Sequence, residues 1–265
     1  MSTITLLTDF GSEDAYVGVM KGVILSVNSS AKIIDISHAV DPQDLIEAAY
    51  LIKSCYRYFP EHTVHIVVVD PGVGSDRAIV ALEMMGHVFL APNNGVLTLL
   101  MDEGEIDAVV RVENTHYFLN SISQTFHGRD IFAPVAAHLA AGWPVEEVGP
   151  EIKAYSLLSS KPAKRRGNRI EGEVTAADRY GNVILNIPGK LFEEFGIKRG
   201  RKLQVHFKNK KLMIKWAATY GEVPEGEGVI LISGGGFLEL AVNRGNAARK
   251  YGLEVGEAVI LEKPD

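Results

Sequence analysis

The sequence predicts an α/β protein in two parts: an N-terminal, mostly parallel α/β sandwich domain over residues 1–160 and a smaller C-terminal β-barrel domain over residues 170–265, joined by a basic linker at 161–169. Three observations carry this. Up to about residue 160, apolar runs of strand length alternate with stretches of helical periodicity, the order that builds a parallel sheet. Beyond residue 170 the texture changes to short alternating runs with regular turns, as in a small barrel or sandwich. Between them lies Lys161-Pro162-Ala163-Lys164-Arg165-Arg166-Gly167-Asn168-Arg169, which reads as a solvated linker rather than a phosphate-binding arm. A chain of 265 residues exceeds the usual single-domain size, so two cores are expected.

The elements follow in order. Ile4 to Leu7 is the first strand. Asp14 to Val27 is a helix, with Val17, Met20, Val23, Ile24 and Val27 at helical spacing and Asp14 where a carboxylate caps a helix start. Lys32 to Ile36 is the second strand. A helix then opens at Pro42 with Asp41 as its cap, burying Leu45, Ala48, Ala49, Ile52 and Cys55. His65 to Val69, Ala78 to Leu82, Val88 to Ala91 and Ala108 to Val112 are further strands, followed by a helix from Ile131 to Ala141. In the second part, strands are expected at 170–175, 183–187, 203–207, 212–216, 229–232, 238–242 and 258–262, with a tight hairpin at Phe207-Lys208-Asn209-Lys210-Lys211-Leu212.

Composition excludes several classes. No apolar stretch approaches the ~20 residues that span a bilayer. The start of the chain has no basic segment or cleavage pattern, so a cytoplasmic location is expected. A net charge of −6 argues against a general nucleic-acid binder. Cys55 is the sole cysteine, which removes internal disulfides and thiolate clusters, and the histidines show no metal-ligand spacing. With no GxGxxG or phosphate-loop motif, neither a metal nor a polyphosphate cofactor is expected.

The chemistry gathers at strand ends. Asp70 closes the run Val67-Val68-Val69 and opens the turn Pro71-Gly72-Val73-Gly74-Ser75-Asp76 that leads to Arg77. In parallel sheets ligands collect at the carboxyl ends of strands, so Asp70 and Arg77 face a pocket together or, read alone, form a turn acid and its ion-pair partner. Asp9, in Thr8-Asp9-Phe10-Gly11, occupies the same kind of position, where a carboxylate can accept both hydroxyl protons of a ribose; its alternative is turn chemistry. His127, in Ser123-Gln124-Thr125-Phe126-His127-Gly128-Arg129-Asp130, lies in a polar loop at a helix start, with Asp130 placed to cap the helix and Arg129 to tie down the loop; alone, it reads equally as a structural histidine. In the second part, Asp178-Arg179-Tyr180-Gly181-Asn182 joins an acid, an aromatic face and an amide, which suit an ammonium or sulfonium group and a purine, or else form a hairpin turn. Ser233-Gly234-Gly235-Gly236 offers amides for a carboxylate, or a bulge.

Taken together and in order, Thr8–Gly11, Asp70–Gly74 with Arg77, Ala91–Gly95, Thr125–Asp130 and Asp178–Asn182 resemble the S-adenosylmethionine hydroxide adenosyltransferases, relatives of the S-adenosylmethionine-dependent fluorinases and chlorinases. The resemblance runs the length of the chain. It implies hydrolysis of S-adenosylmethionine to adenosine and methionine without a cofactor, in a homotrimer whose active site lies between subunits. Asp70, Arg77 and His127 match a water-activating triad, Asp9 the ribose acid, and Phe126 a substrate-contacting aromatic. Asp14 and Asp178 match acids near the methionine amine, Tyr180 and Asn182 the groups around adenine. The halogenase relatives carry an aromatic at the position of Asp70 and lack the histidine, so water rather than halide is the expected nucleophile. Gly234-Gly235 stand where the family has a Ser-Arg pair for the methionine carboxylate, leaving that group to backbone amides or Ser233. A halogenase and a non-catalytic adenosine or S-adenosylmethionine sensor are the alternatives.

Overall fold

The computed structural model describes residues 3–101, 103–158 and 161–264. Contacts divide the chain into two compact units, Met1–Leu158 and Ser159–Asp265. In the first, β1 (Thr3–Thr8), β2 (Lys32–Ser37), β3 (Val64–Val68), β4 (Ile79–Met84), β5 (His87–Pro92) and β6 (Ile106–Arg111) form one sheet in the order β2-β1-β3-β5-β4-β6. The pairs β1–β2, β1–β3 and β3–β5 are parallel, while β4 runs antiparallel to both β5 and β6.

Two apolar layers cover the sheet. α1 (Tyr16–Val27) and, later in the chain, α4 (Ala133–Ala140) pack Val17, Met20, Ile24 and Val135 against Ile4, Leu6, Ile66 and Val68 on one face. α2 (Leu45–Cys55) and α3 (Thr98–Met101) pack Ala48, Ile52 and Leu100 against Leu7, Val67 and Leu82 on the other. Successive strand residues thus enter opposite layers, which is why β1 and β3 are buried at every position. β2, at the edge, is largely exposed.

Helix starts depart from expectation. α2 begins at Leu45, not Pro42, and its cap is Asp44, whose carboxylate accepts the N–H groups of Ile46 and Glu47 at 3.0 and 2.9 Å, a geometry Asp41 is one turn too early to reach. α1 begins at Tyr16 behind Ala15 and has no side-chain cap, so Asp14 is an exposed loop residue. The helix expected from Ile131 starts earlier, as a π-helical turn at Gly128–Phe132 that continues into α4.

The second unit is a closed barrel. β8 (Arg169–Ala177), β9 (Val183–Pro188), β10 (Lys202–Phe207), β11 (Lys210–Trp216), β12 (Gly228–Ile232), β13 (Phe237–Val242) and β14 (Ala258–Glu262) pair in the ring β14-β10-β11-β12-β13-β9-β8, and β14 closes it onto β8. Leu203, Val205, Leu238, Leu240 and Val259 point inward, with Phe192 and Phe195 of α5 (Gly189–Phe195) and Tyr251 of α6 (Ala247–Tyr251) completing the core. The hairpin between β10 and β11 has Lys208-Asn209 as its two-residue loop, Lys208 adopting φ +50°. Part of the basic stretch expected as a linker is itself structured: β7 (Lys164–Arg166) pairs antiparallel with the start of β8. Among the described residues no helix is long and apolar enough to cross a membrane.

Candidate active site

Four loops of the first unit converge at the carboxyl edge of its sheet: those after β1, β2 and β3 and the one that enters α4. They enclose a cavity of about 420 Å³ whose wall includes Asp9, Asp70, Phe126 and His127. Glycine makes the convergence possible. Gly74 sits at φ +79° with its α-carbon against the backbone carbonyl of Gln124; a Cβ there would overlap that oxygen, so only glycine lets the 70–76 turn lie against the 123–127 loop.

That apposition builds a bonded triad. The Arg77 Nε donates to both oxygens of Asp70, at 3.0 Å to Oδ1 and 2.8 Å to Oδ2, and its terminal nitrogen Nη2 also pairs with Oδ2. The same Nη2 lies 2.9 Å from Nδ1 of His127. Arg77 is therefore a bridge between the other two. Both charged side chains are nearly out of solvent, 5% exposed for Asp70 and 10% for Arg77, so the pairing is charge-assisted in a low-dielectric setting. Burial, and then the adjacent Arg77 charge, hold the His127 imidazole below its usual value. Because a guanidinium only donates, Nδ1 is the acceptor and the proton of the neutral ring sits on Nε2, an assignment made from the bonding pattern.

Asp9 follows β1 and accepts the Gln43 N–H through Oδ2 at 2.9 Å. Phe126 belongs to a set of rings with Phe10 and Tyr16, at centroid distances of 6.1 and 5.1 Å from Phe126. Arg129 stacks over Phe126 and pairs with Asp130, whose fully buried carboxylate also accepts the Ser123 N–H at 2.8 Å. Burial works to raise the Asp130 carboxyl, but those two partners bring it below its usual value. Asp130 thus ties down the 119–123 loop and does not cap a helix. Asp14 is exposed and is not part of the cavity wall.

The remaining expected residues belong to the second unit. Asp178 accepts the N–H groups of Tyr180 and Asn182 at 2.9 Å each and the Asn182 side-chain amide at 2.8 Å, which makes it the organiser of its own turn. Tyr180 stands 78% exposed, with its ring in solvent, while Asn182 is buried. Ser233 presents a buried hydroxyl with no hydrogen-bond partner among the described residues, next to the Gly234–Gly236 turn. Sequence reasoning missed Phe10, Tyr16 and Gln43, which line the cavity. Tyr16 carried a usable signal, a large aromatic at the outer start of an apolar helix; nothing in the spacing of Gln43 indicates that its φ of +68° turns its N–H to Asp9.

Comparison with known proteins agrees with the geometry. The SAM hydroxide adenosyltransferase N-terminal domain model matches residues 4–149 and the corresponding C-terminal domain model residues 172–260. An (R)-S-adenosyl-L-methionine hydrolase of Thermus thermophilus is 39% identical over 98% of this chain and all of its own length. A fluorinase of an Actinoplanes species is 29% identical over 98% of this chain and 97% of its own. Among solved structures, an uncharacterised conserved protein from Thermotoga maritima superposes with a TM-score of 0.95 at 38% identity, covering 98% of this chain and all of that one. The chain belongs to the SAM hydroxide adenosyltransferase family.

Proposed function

We propose that this protein hydrolyses S-adenosyl-L-methionine to adenosine and L-methionine, with Asp70, Arg77 and His127 holding the attacking water. The observation that carries the assignment is the continuous Asp70–Arg77–His127 hydrogen-bonded chain, whose two ends, Asp70 and His127, stand on the wall of a cavity at the sheet's carboxyl edge. It is supported by family membership and by the full-length similarity to an (R)-S-adenosyl-L-methionine hydrolase.

The reaction balances simply. A water oxygen forms a bond to the ribose 5′ carbon, the carbon–sulfur bond breaks, and its electron pair neutralises the sulfonium, releasing methionine as a thioether; one water proton must leave. In the network, His127 Nδ1 already accepts from Arg77, so the ring is not the base; Nε2–H is its remaining donor, which the water oxygen shares with the Ser123 backbone. Asp70 Oδ1 receives only the Nε contact, whereas Oδ2 receives both Nε and Nη2, so Oδ1 has the open lone pair for the water proton. Donor and acceptor fix the oxygen's orientation before attack, the kind of preorganisation that lowers the entropic barrier.

Asp9 takes the ribose hydroxyls through Oδ1, since Oδ2 is held by Gln43. Phe126, with Phe10 and Tyr16, gives the apolar wall that keeps the reacting carbon out of bulk water. In this reading the protein is a cytoplasmic homotrimer, and Asp14, Asp178, Tyr180, Asn182 and Ser233 bind the methionine and adenine portions of a substrate shared between neighbouring subunits. The test is incubation of purified protein with S-adenosylmethionine in ¹⁸O-labelled water. Adenosine carrying the label at its 5′ hydroxyl is the expected product; label in methionine instead, or no turnover, refutes the proposal.

A further inference from the structure

Behind the cavity wall a second polar chain runs from the surface to the turn that bears Asp9. Lys21 Nζ on α1 donates to Asp35 Oδ2 on β2 at 2.6 Å. Asp35 Oδ1 lies 3.1 Å from Nε2 of His38, the range of an ion pair but without the alignment of a directed hydrogen bond. On the other side of the ring, Nδ1 is 2.8 Å from the hydroxyl of Thr8, which is fully buried. That hydroxyl accepts the N–H of Phe10 at 3.2 Å, and the backbone carbonyl of His38 accepts the N–H of Gly11 at 2.8 Å. His38 itself is not part of the cavity wall.

One proton assignment satisfies this chain. The Asp35 carboxylate beside Nε2 can only accept, so the neutral ring carries its hydrogen on Nε2, and Nδ1 is left to accept the proton of the Thr8 hydroxyl, whose oxygen accepts the Phe10 N–H. The N–H groups of Phe10 and Gly11, immediately after Asp9, are thus both tied to His38, the first through the Thr8 hydroxyl and the second directly through the His38 backbone carbonyl. They need an anchor: Asp9 has left β1, Gly11 lies at φ +71°, and the acid itself is tied by the Gln43 N–H.

We infer that His38 is a positioning residue for substrate: from behind the wall it fixes the Thr8–Gly11 turn and so aims the Asp9 carboxylate at the ribose. The inference rests on the proposed hydrolase reading, in which Asp9 is the ribose acid. Its effect belongs to binding rather than to the chemical step, because the chain does not touch Asp70, Arg77 or His127. Since Gly11 is held by the backbone carbonyl, replacing the ring tests the side chain alone.

The experiment compares wild type, His38→Ala, His38→Asn and Thr8→Val for S-adenosylmethionine turnover and, by calorimetry, for adenosine binding. Loss of one buried hydrogen bond that holds a turn corresponds to about a tenfold weakening. His38→Ala and Thr8→Val are expected to raise KM and the adenosine Kd together by about that factor, with kcat within about twofold of wild type. His38→Asn, whose amide oxygen can stand where Nδ1 stands, is expected to recover most of the loss. In an Asp9→Asn background the His38→Ala effect is expected to vanish, since its target is gone. Unchanged KM in His38→Ala, a fall confined to kcat, an alanine-like His38→Asn, or an undiminished effect in the Asp9→Asn background each overturns the inference. Wild-type protein that neither turns over S-adenosylmethionine nor binds adenosine overturns the parent reading, and this one with it; a functional wild type matched by His38→Ala overturns this one alone.

Discussion

Replacing Arg77 with lysine keeps the charge and removes the fork, which separates the two jobs the guanidinium performs. Arg77 reaches Asp70 through Nε at 3.0 and 2.8 Å and through Nη2, and reaches His127 Nδ1 through Nη2 at 2.9 Å. A lysine ammonium is a point donor on a flexible stem and cannot hold both partners in one plane. At least two charge-assisted bonds are lost, each worth about 1.5–3 kcal/mol, so the ordered geometry weakens by roughly 3 kcal/mol or more. At about 1.4 kcal/mol per decade this is a fall of roughly two orders of magnitude in kcat/KM. Stability changes less, since Asp70 still has a cation beside it. Arg77→Met is the contrast: it leaves a carboxylate that is 5% exposed without a partner, a loss of about 3–5 kcal/mol and a drop in Tm of roughly 10 °C. Adenosine release followed by chromatography and thermal melts of both variants make the test. Arg77→Lys with wild-type kcat/KM would show that the bridge to His127 is not needed, and the triad argument would fall.

Three further outcomes follow from the structure. His127 has its folded pKa depressed below its reference value of 6.5, so the neutral ring contributes stability that is complete above pH 6.5 and is lost as pH falls through the folded value; kcat/KM is expected to stay flat through pH 6.5 and to drop only at more acid pH, and a drop already centred above 6.5 would contradict it. His65, buried against Phe89 and bonded through Nδ1 to Thr5 at 2.7 Å, is pushed down to about 3 by burial and then by His87, so the same sign applies over a wider window: stability is lost between pH 6.5 and about 3, by an amount on the order of a few kcal/mol. Urea midpoints across that range should be steep for wild type and flatter for the paired variant Thr5→Val with His65→Leu, and parallel curves would acquit His65. Gly74→Ala places a Cβ against the Gln124 carbonyl at a left-handed φ, a strain of about 1–3 kcal/mol; it should lower kcat/KM as well as Tm, and unchanged turnover would mean the two loops do not need this apposition.

Much of the fold was legible because its signals are periodic. β1 and β3 read as strands since both of their faces are buried, and the barrel strands since only one face is. Helix starts were less legible. Asp14, Asp41 and Asp130 each have a side chain suited to capping, yet the caps are Asp44 and, for α1, none, because capping depends on where the backbone leaves the extended region and a run of polar residues leaves that open by a turn. The basic stretch at 161–169 shows a related limit: its charges suggest solvent, and they are exposed, but exposure is compatible with an edge hairpin such as β7 on β8. At the site, Asp9, Asp70, Arg77 and His127 were found by their place after strands and before a helix. Gln43 escaped because it acts through a backbone N–H, where residue type and spacing carry no trace of the contact.

The triad also bears on the choice between water and halide. Asp70 contributes one negative charge, Arg77 one positive and His127 none, so the group is neutral while offering the nucleophile both an acceptor, Oδ1, and a donor, Nε2–H. Water has a proton for the first and a lone pair for the second. A halide has only lone pairs: it can take the donor but must sit beside a carboxylate that it repels, by about 4 kcal/mol for unit charges 4 Å apart at the effective dielectric of a protein surface. Arg77 offsets part of that repulsion through its charge, but its Nε and Nη2 hydrogens are engaged by Asp70 and His127 and do not serve a halide as donors. In the proposed reaction, discrimination therefore comes from the acid and not from the size of the pocket. Product analysis in molar chloride should yield adenosine and no 5′-chloro-nucleoside from wild type, and Asp70→Asn should lose water turnover while relieving the repulsion. A chlorinated product from wild type would place the selectivity elsewhere.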